Sequence, residues 1–220
     1  MVNIVSGFGD IGAYLARHPG IEKVAFTGST EVGYDIMRNS HVKNLKRVTL
    51  ELGGKSANII TKSADLSNAL SQSSLGLFFN AGQCCIAASR TYVHSTLYDK
   101  FVTQSAQNAK NIKLGNPLDA STDQGPLVSQ EQFDRVMNFI DKGVKEGAKL
   151  VAGGKRFGNK GYFVEPTVFA DVTEDMTIAK EEIFGPVMCI MKYDNNEDVL
   201  KKANNSPYGL GAGLVSSDPS

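Results

Sequence analysis

The chain has 220 residues, 41% of them apolar and 21% charged, and its 23 Lys and Arg residues balance 23 Asp and Glu residues. This composition is typical of a globular protein with a buried core, and the charge balance argues against a nucleic-acid partner or an anionic membrane surface. Because no apolar run approaches the roughly 18 residues of a membrane helix, and three cysteines are too few for a disulfide-rich secreted fold, we expect a cytoplasmic protein with free thiols and no membrane contact.

Strand-like and helix-like segments alternate along the chain, which predicts an α/β fold. Runs of β-branched and apolar residues predict strands at 2–5, 24–27, 47–52, 57–61, 91–94, 162–169 and 188–193. Apolar residues at spacings of three and four predict helices behind Asp65, near Leu97 and after Ser129. Loops rich in Gly, Pro, Asn and Asp are expected at LGNPLDASTDQGP, AGGKRFGNKG and NNSPYG.

The glycine pair at positions 53 and 54 separates two strand-like runs and offers a flexible joint. We therefore expect one domain in residues 1–52 and a second in residues 53–220. Both ends of the sequence look cut: it opens directly into a strand-like run and stops at SSDPS, just after the apolar run GLGAGLV. The chain is expected to be part of a longer one.

Two glycine-rich segments near the N-terminus are candidates for anion binding. GFGDIG at residues 7–12 follows a strand-like run and precedes a helix-like segment, as in dinucleotide-binding turns, although Glu22 comes too early for the usual acidic ribose contact. FTGSTEVG at residues 26–33 also runs from a strand into small residues that open a helix, whose free N–H groups can bind an anion. A plain glycine turn in the first segment, and N-capping by Ser29 and Thr30 in the second, explain the same residues without a ligand.

Two cysteines, Cys84 and Cys85, stand side by side in FNAGQCCIAASR. Together with Cys189 they show none of the spacings of a metal site, so we predict no metal. A disulfide between neighbours would strain both the bridge and the peptide bond. Buried thiols and a nucleophile are left as interpretations. The small residues after the pair predict a turn that enters a helix, whose N-terminus would favour a thiolate.

A nucleophilic thiol needs a proton acceptor, and no histidine lies near the cysteine pair in the sequence. Glu51 ends the apolar run in VTLELGGKS, at a strand end that can face a cleft. A carboxylate in partly apolar surroundings becomes a better base near neutral pH. A solvated charge at the end of a strand is the alternative interpretation.

Four motifs in a fixed order, FTGSTEVG, ELGGKS, FNAGQCC and EEIFGPV, resemble the aldehyde dehydrogenase superfamily, and GYFVEPTVF, GNPLD and ANNSPYGL extend the resemblance over essentially the whole chain. The sequence is most similar to the NAD(P)-dependent, hydrolytic branch that includes the cytosolic, mitochondrial and retinal enzymes. The resemblance implies the end of a Rossmann-type cofactor domain followed by most of an α/β catalytic domain. It also implies that the chain is an internal fragment of a homo-oligomeric protein whose substrate is a small aldehyde.

The resemblance implies roles for individual residues. Cys85 would be the nucleophile, with Cys84 as its neighbour, and Glu51 would be the general base that activates the deacylating water. NAD, or NADP, would be bound by Gly28, Ser29, Val32, Gly33, Leu52, Gln132, Arg135, Glu182 and Phe184. In that set Val32 would line the adenine, Glu182 would hydrogen-bond a ribose and Phe184 would pack near the nicotinamide.

Two of these cofactor residues have a structural alternative. Ser129 and Gln132 form the S-x-x-Q pattern of a capping box, in which the Gln132 side chain reaches back to Ser129. Arg135, three residues further on, would then be an ordinary exposed helix residue.

In the mechanism that the resemblance implies, the Cys85 thiolate adds to the carbonyl, hydride passes to the cofactor, and the thioester is hydrolysed by water that Glu51 deprotonates. The oxyanion would be held by the Cys85 N–H and by an asparagine amide. That asparagine, the lysine that holds the adenosine ribose and the oligomerisation strand have no counterpart in these 220 residues. The GFGDIG turn is one residue shorter than the family's GFGPTAG, with Asp10 where a phosphate could be repelled. We therefore expect this chain alone to be inactive.

Two other functions are compatible with the same motifs. A coenzyme A-acylating enzyme would pass the thioester to a thiol, and Glu51 argues against it because a base for water is then not needed. A non-catalytic structural or binding protein would keep only the fold, and the intact Cys85, Glu182 and Phe184 argue against that. A mitochondrial presequence would precede residue 1, so that location stays open beside the cytoplasmic one.

Overall fold

The computed structural model describes residues 1–218 and divides into two compact units, one of Met1–Gly53 and one that starts at Gly54. Helices and strands alternate, which confirms the predicted α/β class. The helices are α1 (Gly9–Arg17), α2 (Thr30–Asn39), α3 (Leu66–Phe78), α4 (Ser95–Asn111), α5 (Gln130–Lys145), α6 (Thr177–Lys180) and α7 (Asn196–Asn204). The strands are β1 (Lys23–Thr27), β2 (Arg47–Glu51), β3 (Ala57–Ile60), β4 (Arg90–His94), β5 (Lys149–Ala152), β6 (Thr167–Ala170), β7 (Val187–Tyr193) and β8 (Ala212–Val215).

The unit of residues 1–53 is built on a parallel pair of strands, β1 and β2, whose carboxyl ends meet where Thr27 lies opposite Glu51. Helix α1 precedes this pair in the chain and α2 connects its two strands. The predicted strand at 2–5 is wrong, because extended backbone becomes a strand only when a neighbour accepts its ladder hydrogen bonds. Within residues 1–218 no strand pairs with residues 2–5, which are exposed.

A buried lysine closes the end of α1 in the same unit. Lys46 is 4% exposed, and its Nζ donates to the carbonyls of Ala16 at 2.7 Å and His18 at 2.8 Å. A helix leaves its last carbonyls without partners inside the helix, and a cation near the C-terminus also interacts favourably with the helix dipole. Lys46 therefore ties the end of α1 to the segment just before β2.

The second unit contains a six-stranded sheet in the order β5-β6-β7-β4-β3-β8. Every neighbouring pair is parallel except β5 and β6. Parallel strands are normally covered on both faces, and two separate apolar clusters lie in this unit. One includes Val136 and Phe139 of α5, and the other includes Leu77 of α3 and Phe101 of α4. Helices therefore pack on both faces, as in doubly wound α/β folds.

The remaining predictions about local structure had mixed outcomes. The strands predicted at 24–27, 47–52, 57–61, 91–94 and 188–193 are present to within one residue at their ends, whereas the strand predicted at 162–169 is confined to β6. Pro166 stands just before β6 and has no N–H for a ladder, so Val164 forms only an isolated bridge with Arg156. Strands β5 and β8 and helices α6 and α7 were not predicted.

Candidate active site

The two cysteines follow a left-handed turn at the end of α3. Asn80, Ala81 and Gly82 have φ values of 51°, 55° and 70°. Residues other than glycine rarely adopt this left-handed region of φ and ψ, although asparagine tolerates it. The Asn80 side chain donates to the Gln83 carbonyl at 3.0 Å, and the Gln83 side chain donates to the Asn80 carbonyl at 3.2 Å. These two hydrogen bonds brace the turn that presents the cysteines.

The helix predicted after the cysteines is wrong. Only four residues, 86–89, separate Cys85 from the first residue of β4, which leaves no room for a helix followed by a loop. Cys84 and Ala87 close a single turn, in which the Ala87 N–H donates to the Cys84 carbonyl at 3.0 Å. No helix dipole in this segment therefore acts on the Cys85 thiol.

All three thiols are free, and their surroundings differ. Cys84 and Cys85 are half-buried, whereas Cys189 in β7 is fully buried and donates from Sγ to the Ile178 carbonyl at 3.4 Å. Burial raises the pKa of the Cys189 thiol. Cys189 is thus a protonated core residue at neutral pH, and among the three thiols only the half-buried pair is partly accessible to a substrate.

Gly54 joins the cysteine turn to Glu182. A Cβ atom at this position would lie 2.3 Å from the Cys85 carbonyl oxygen, so only glycine allows the two backbones to approach this closely. The Gly54 N–H donates to the Glu182 carboxylate at 3.2 Å. Gly54 is buried and closely packed, a role that was not predicted from the sequence.

The segment that carries Glu182 and Phe184 is close-packed against the cysteine turn. A Cβ atom on Gly82 would lie 2.1 Å from the Gly185 carbonyl oxygen, and one on Gly185 would lie 2.4 Å from a methyl group of Val136. Phe184 has a φ of 57°, which is strained for a bulky side chain. Backbone strain of this kind often accompanies functional sites.

The Glu182 carboxyl is half-buried and lies in a mixed environment. Desolvation raises its pKa, while the Gly54 N–H and the charges of Arg135 and Lys55 oppose that shift. A carboxyl whose pKa is raised by burial and which lies beside the cysteine turn is a candidate for contact with a ligand.

The side chains of Gln132 and Arg135 meet the same segment. Gln132 donates from Nε2 to the carbonyls of Ile183 at 3.1 Å and Phe184 at 2.8 Å. Arg135 donates from Nη2 to the carbonyl of Glu182 at 3.1 Å. The N-cap half of the predicted capping box is present, because the Gln132 N–H donates to Ser129 Oγ at 3.1 Å. The other half is wrong, since the Gln132 side chain points to the carbonyls and not to Ser129.

Lys55 follows Gly54 and is the most unusual charged residue of the second unit. It is 2% exposed, and its Nζ has no hydrogen-bond partner in residues 1–218. Desolvation by burial lowers its pKa to about 8, and the positive charge of Arg90 acts in the same direction. The Lys55 carbonyl accepts a 2.8 Å hydrogen bond from Arg90 Nε, which fixes the backbone of this residue.

In the first unit, Glu51 adjoins the start of FTGSTEVG. The Gly28 N–H donates to the Glu51 carbonyl at 3.1 Å, and the Glu51 side chain is exposed at the end of β2. The following Leu52 packs on α2, where a Cβ atom on Gly33 would lie 2.6 Å from a Leu52 methyl group. The predicted base and the predicted cofactor segment are therefore neighbours within this unit.

Helix α2 begins as the capping interpretation predicts. Ser29 is its N-cap and accepts from the Val32 N–H at 3.3 Å. The N–H groups of Thr30 and Glu31 have no acceptor in residues 1–218, and Val32 is 44% exposed. Free N–H groups next to an exposed apolar side chain fit an anion that is joined to an aromatic ring, as in a dinucleotide.

The other glycine-rich segment only partly meets its prediction. GFGDIG opens α1, but no strand precedes it in the described part of the chain, and the N-cap residue Phe8 makes no side-chain cap. A groove of about 760 Å³ runs along α1, β1 and α2 and includes Phe8, Gly12 and Val32. The first unit thus has room for a ligand beside both glycine-rich segments.

The structure groups the predicted residues into two sets, one in each unit. The first unit brings together Gly28, Ser29, Val32, Gly33, Glu51 and Leu52, and the second brings together Cys85, Gln132, Arg135, Glu182 and Phe184. Among residues 1–218 no group of three or more His, Cys, Asp or Glu side chains could hold a metal ion. No helix in the same range is long and apolar enough to span a bilayer.

Gly54, Gly82, Gly185 and Lys55 were not predicted as site residues from the sequence. Each stands inside or beside a motif already singled out: ELGGKS, FNAGQCC or EEIFGPV. The signal was the repeated glycine next to a chemically active residue, which indicates a close approach of two backbones.

Comparisons with known proteins agree with one another. The whole chain, residues 1–220, matches the model of the aldehyde dehydrogenase family. Aldehyde dehydrogenase 1A1 of Homo sapiens is 55% identical over 99% of this chain and 44% of its own length. Aldehyde dehydrogenase, cytosolic 1, of Rattus norvegicus is 53% identical with the same coverage, 99% and 44%. An aldehyde dehydrogenase from Bacillus cereus, solved as an NAD+ complex, is 51% identical, with a TM-score of 0.94 over 97% of this chain and 43% of that one. The chain thus spans less than half of the length of these relatives.

Proposed function

This chain belongs to the aldehyde dehydrogenase family, and we propose on that basis that its full-length protein oxidises an aldehyde to a carboxylic acid with NAD as the hydride acceptor. We assign residues 1–52 to the cofactor domain and residues 53–220 to the catalytic domain. The named relatives support an aldehyde as substrate and a cytoplasmic location, and the NAD+ complex of the Bacillus cereus enzyme supports NAD as the cofactor, with NADP as the alternative. We further propose that the full-length protein is a homo-oligomer.

The observation that carries this proposal is the packing around Gly54. One glycine lies against the Cys85 carbonyl and donates its N–H to the Glu182 carboxylate. Gly54 thereby holds the backbone of the cysteine turn close to the half-buried Glu182 carboxylate, which is the kind of pre-organisation that a catalytic site needs.

Cys85 begins the chemistry. Its thiolate adds to the aldehyde carbon, and the carbonyl oxygen becomes an oxyanion. The Cys85 N–H makes no hydrogen bond within residues 1–218 and is available to hold that oxyanion. The thiohemiacetal then loses a hydride from the same carbon, which re-forms the C=O bond as a thioester. When bound, NAD supplies the hydride acceptor for this step.

Glu51 completes the cycle as a general base. Water attacks the thioester carbon, its proton passes to the Glu51 carboxylate, and the C–S bond breaks. The products are a carboxylic acid and the free Cys85 thiolate, so atoms and charges balance without coenzyme A. Because the side chain is exposed at the end of β2, it can exchange the proton with solvent after each cycle.

The residues available for NAD fall in both sets. In the first unit, the N-terminus of α2 would hold the phosphates near Gly28 and Ser29. Val32 would lie against the adenine, and Leu52 would keep Gly33 in place through its packing on α2. In the second unit, Glu182 would accept a hydrogen bond from a ribose hydroxyl, and Phe184 would pack on the nicotinamide. The second oxyanion donor, an asparagine amide, has no counterpart in these residues, so we expect the 220-residue chain alone to be inactive.

The test is a pair of thiol variants in the full-length protein. We expect Cys85→Ser to lower kcat for aldehyde-dependent NADH formation by roughly 10³-fold or more, because the hydroxyl is a much weaker nucleophile. Cys84→Ser is the matched control and should change kcat by less than about threefold, since it conserves volume at a half-buried site. Equal activity of both variants and the parent protein would refute Cys85 as the nucleophile.

A product assay separates the two thioester outcomes. With purified protein, aldehyde and NAD, free carboxylic acid should form in proportion to NADH without added coenzyme A. An absolute requirement for coenzyme A would show that the protein is an acylating enzyme. No NADH under either condition would favour the non-catalytic alternative.

A further inference from the structure

We propose that Lys55 is a positioning residue of the candidate active site, whose buried ammonium group acts on the Glu182 carboxyl and keeps it ionised for a hydrogen bond with a ribose hydroxyl. The inference rests on the proposed function, which gives Glu182 its contact with NAD. It assigns a role to the lysine of ELGGKS, to which the proposed mechanism gives no part.

The backbone on both sides of the Lys55 side chain is fixed. Gly54, the residue before it, packs against the Cys85 carbonyl, where a Cβ atom would lie 2.3 Å from the oxygen. The Lys55 carbonyl accepts a 2.8 Å hydrogen bond from Arg90 Nε. Lysine side chains normally extend to bring the ammonium group to water, but Lys55 is 2% exposed. Because the peptide groups on both sides are held in place, the ammonium group stays in the interior.

The position of this ammonium group is unfavourable for stability. Its Nζ has no hydrogen-bond partner within residues 1–218, and desolvation lowers the pKa of Lys55 to about 8. A buried charge without a bonded partner destabilises a fold, and an apolar residue of similar volume is often the more stable choice at such a position. A charged residue that destabilises the fold beside a candidate site is itself a candidate for a functional role.

Four charged or titratable groups interact electrostatically with the Lys55 ammonium group. They are Cys189 in β7, Arg90 in β4, and Glu181 and Glu182 in the segment before β7. The Cys189 thiol is protonated, in agreement with its raised pKa, and Arg90 repels the ammonium group. Glu181 is exposed, so solvent screens its charge. The half-buried Glu182 carboxyl is therefore the least screened negative charge that acts on Lys55.

The surroundings of the Glu182 carboxyl include the same interaction. Burial raises the pKa of Glu182, and the Gly54 N–H and the charges of Arg135 and Lys55 oppose that rise. Gly54 donates directly to the carboxylate at 3.2 Å, and Tyr208 is a further titratable group nearby. Arg135 is exposed, so counterions screen its charge, whereas Lys55 acts through the protein interior. Two consecutive residues therefore stabilise one carboxylate, Gly54 by a hydrogen bond and Lys55 by its charge.

The proposed contact with NAD requires an ionised Glu182. A carboxylate accepts a stronger hydrogen bond from a hydroxyl than a neutral carboxyl does. Without the Lys55 charge, the effect of burial is less opposed, so the Glu182 pKa rises further and the carboxylate fraction falls. NAD binding should therefore weaken in a variant that becomes more stable because it has lost a buried charge. A lysine with a purely structural role would not change stability and cofactor affinity in opposite directions, and a lysine without a function would leave affinity unchanged.

The test is Lys55→Met in the full-length protein, with Lys62→Met as the matched control because Lys62 is exposed. Titration calorimetry at neutral pH should give a dissociation constant for NAD about tenfold higher in Lys55→Met than in the parent protein. Urea denaturation of the same variant should show a higher midpoint. Lys62→Met should match the parent protein in both measurements. An unchanged dissociation constant in Lys55→Met would overturn the proposal, and so would weaker binding with a lower midpoint, which indicates a structural role.

The pH dependence identifies the charge as the cause. The pKa of Lys55 is about 8, so the ammonium group is present below that pH and is lost above it. In the parent protein alone, the dissociation constant for NAD should rise as the pH increases through about 8. The difference from Lys55→Met should disappear over the same range. A difference that persists well above that pH would mean that the shape of the side chain, and not its charge, is responsible.

A double-mutant cycle with Glu182→Gln tests whether Lys55 acts through Glu182. In unfolding experiments without NAD, Lys55→Met should stabilise the Glu182→Gln background more than the parent protein, because the carboxylate that favours the ammonium group is absent there. In binding experiments, Lys55→Met should change the dissociation constant for NAD by less than about twofold in that background. Equal effects of Lys55→Met on stability in the two backgrounds would overturn the proposal, whatever NAD binding shows.

The inference and the proposed function fail in different ways. A parent protein that binds NAD but oxidises no aldehyde refutes the proposed function, and the calorimetry then still decides the role of Lys55. A parent protein that oxidises an aldehyde with NAD, but in which Lys55 and Glu182 act independently, refutes the inference alone.

Discussion

The two units of the chain hold their candidate site residues by different means. In the second unit, the residues around Cys85 are fixed by backbone contacts at Gly54, Gly82 and Gly185 and by side chains that bond to carbonyls. In the first unit, the only apolar side chains among residues 1–53 that are less than about a tenth exposed are Ala16 at 5% and Ile36 at 9%, and Glu51 stands exposed at a strand end. A helix cap, one parallel strand pair and the contact of Leu52 with Gly33 position the residues there.

This difference indicates which contacts can fix the position of a reacting atom. A close-packed backbone resists displacement because any shift creates overlap or a void, whereas a cap or a ladder end can rotate at small cost. The chemistry that needs a fixed atom, attack by sulfur, is proposed for the packed unit. The step that needs exchange with solvent, proton transfer to Glu51, is proposed for the more exposed one.

The largest effect on stability is expected from Gly82→Ala, which tests how tightly the second unit is packed. The new Cβ would lie 2.1 Å from the Gly185 carbonyl oxygen, at a residue whose φ is +70°. Steric overlap and the cost of a left-handed backbone conformation would therefore both destabilise the folded chain. We expect the free energy of unfolding to fall by about 3 to 4 kcal/mol. Urea denaturation measures it, with Gly76→Ala as the control, since its Cβ would meet only Ala88 at 3.6 Å. Equal effects of the two substitutions would show that the Gly82 contact is not tight.

The next effect concerns the buried ammonium of Lys55, whose pKa falls from 10.5 to about 8. Between those values the unfolded chain binds a proton that the folded chain does not, so stability rises with pH across this window. Below it the whole penalty, about 3 kcal/mol, is present. We expect Lys55→Met to raise the free energy of unfolding at neutral pH by about that amount, because Met fills a similar volume.

The pH dependence is the control for this prediction. The difference between Lys55→Met and the parent chain should shrink steadily as the pH rises above about 8. Urea denaturation of both proteins at several pH values measures it. A difference that stays constant with pH would mean that Lys55 is not the group that titrates.

The smallest effect on stability is expected in the first unit. Gly12 lies in α1, is exposed, and a Cβ there would meet no atom within 4 Å. Gly12→Ala should therefore stabilise the chain by about 0.5 to 1 kcal/mol, because alanine loses less backbone entropy in a helix. A cost comparable to that of Gly82→Ala, in the same denaturation experiment, would show that the first unit is as tightly packed as the second.

The elements that the sequence predicted well depend on local signals. Helix α5 begins directly after its cap Ser129, and its buried residues follow the predicted spacing, because cap and periodicity act within a few residues. Strand β8 was missed because a glycine-rich run becomes a strand only by pairing with β3, over 150 residues earlier in the chain. The strand wrongly expected at 2–5 shows the converse: strand-forming residues without a partner stay irregular.

In the candidate site, too, local sequence signals predicted some features and long-range contacts determined the others. Motifs predicted roles for Cys85, Glu51 and Glu182, because the proposed chemistry requires particular side chains. They did not reveal that Gly54 bonds Glu182 or that Gln132 bonds the carbonyls of residues 183 and 184. Those contacts join residues that are 128, 51 and 52 positions apart, and the sequence alone does not state such distances.

The left-handed turn before the cysteines also limits how this sequence can vary. At Ala81, with a φ of 55°, β-branched residues are excluded by their own side chains, and glycine, asparagine and aspartate are the natural replacements. Substitution at this buried position is therefore restricted by the left-handed backbone conformation in addition to size and polarity. In a homologue with valine or isoleucine at this position, the turn would adopt another backbone conformation and the two thiols would point in another direction. The residue at position 81 therefore indicates whether the turn still orients the proposed nucleophile.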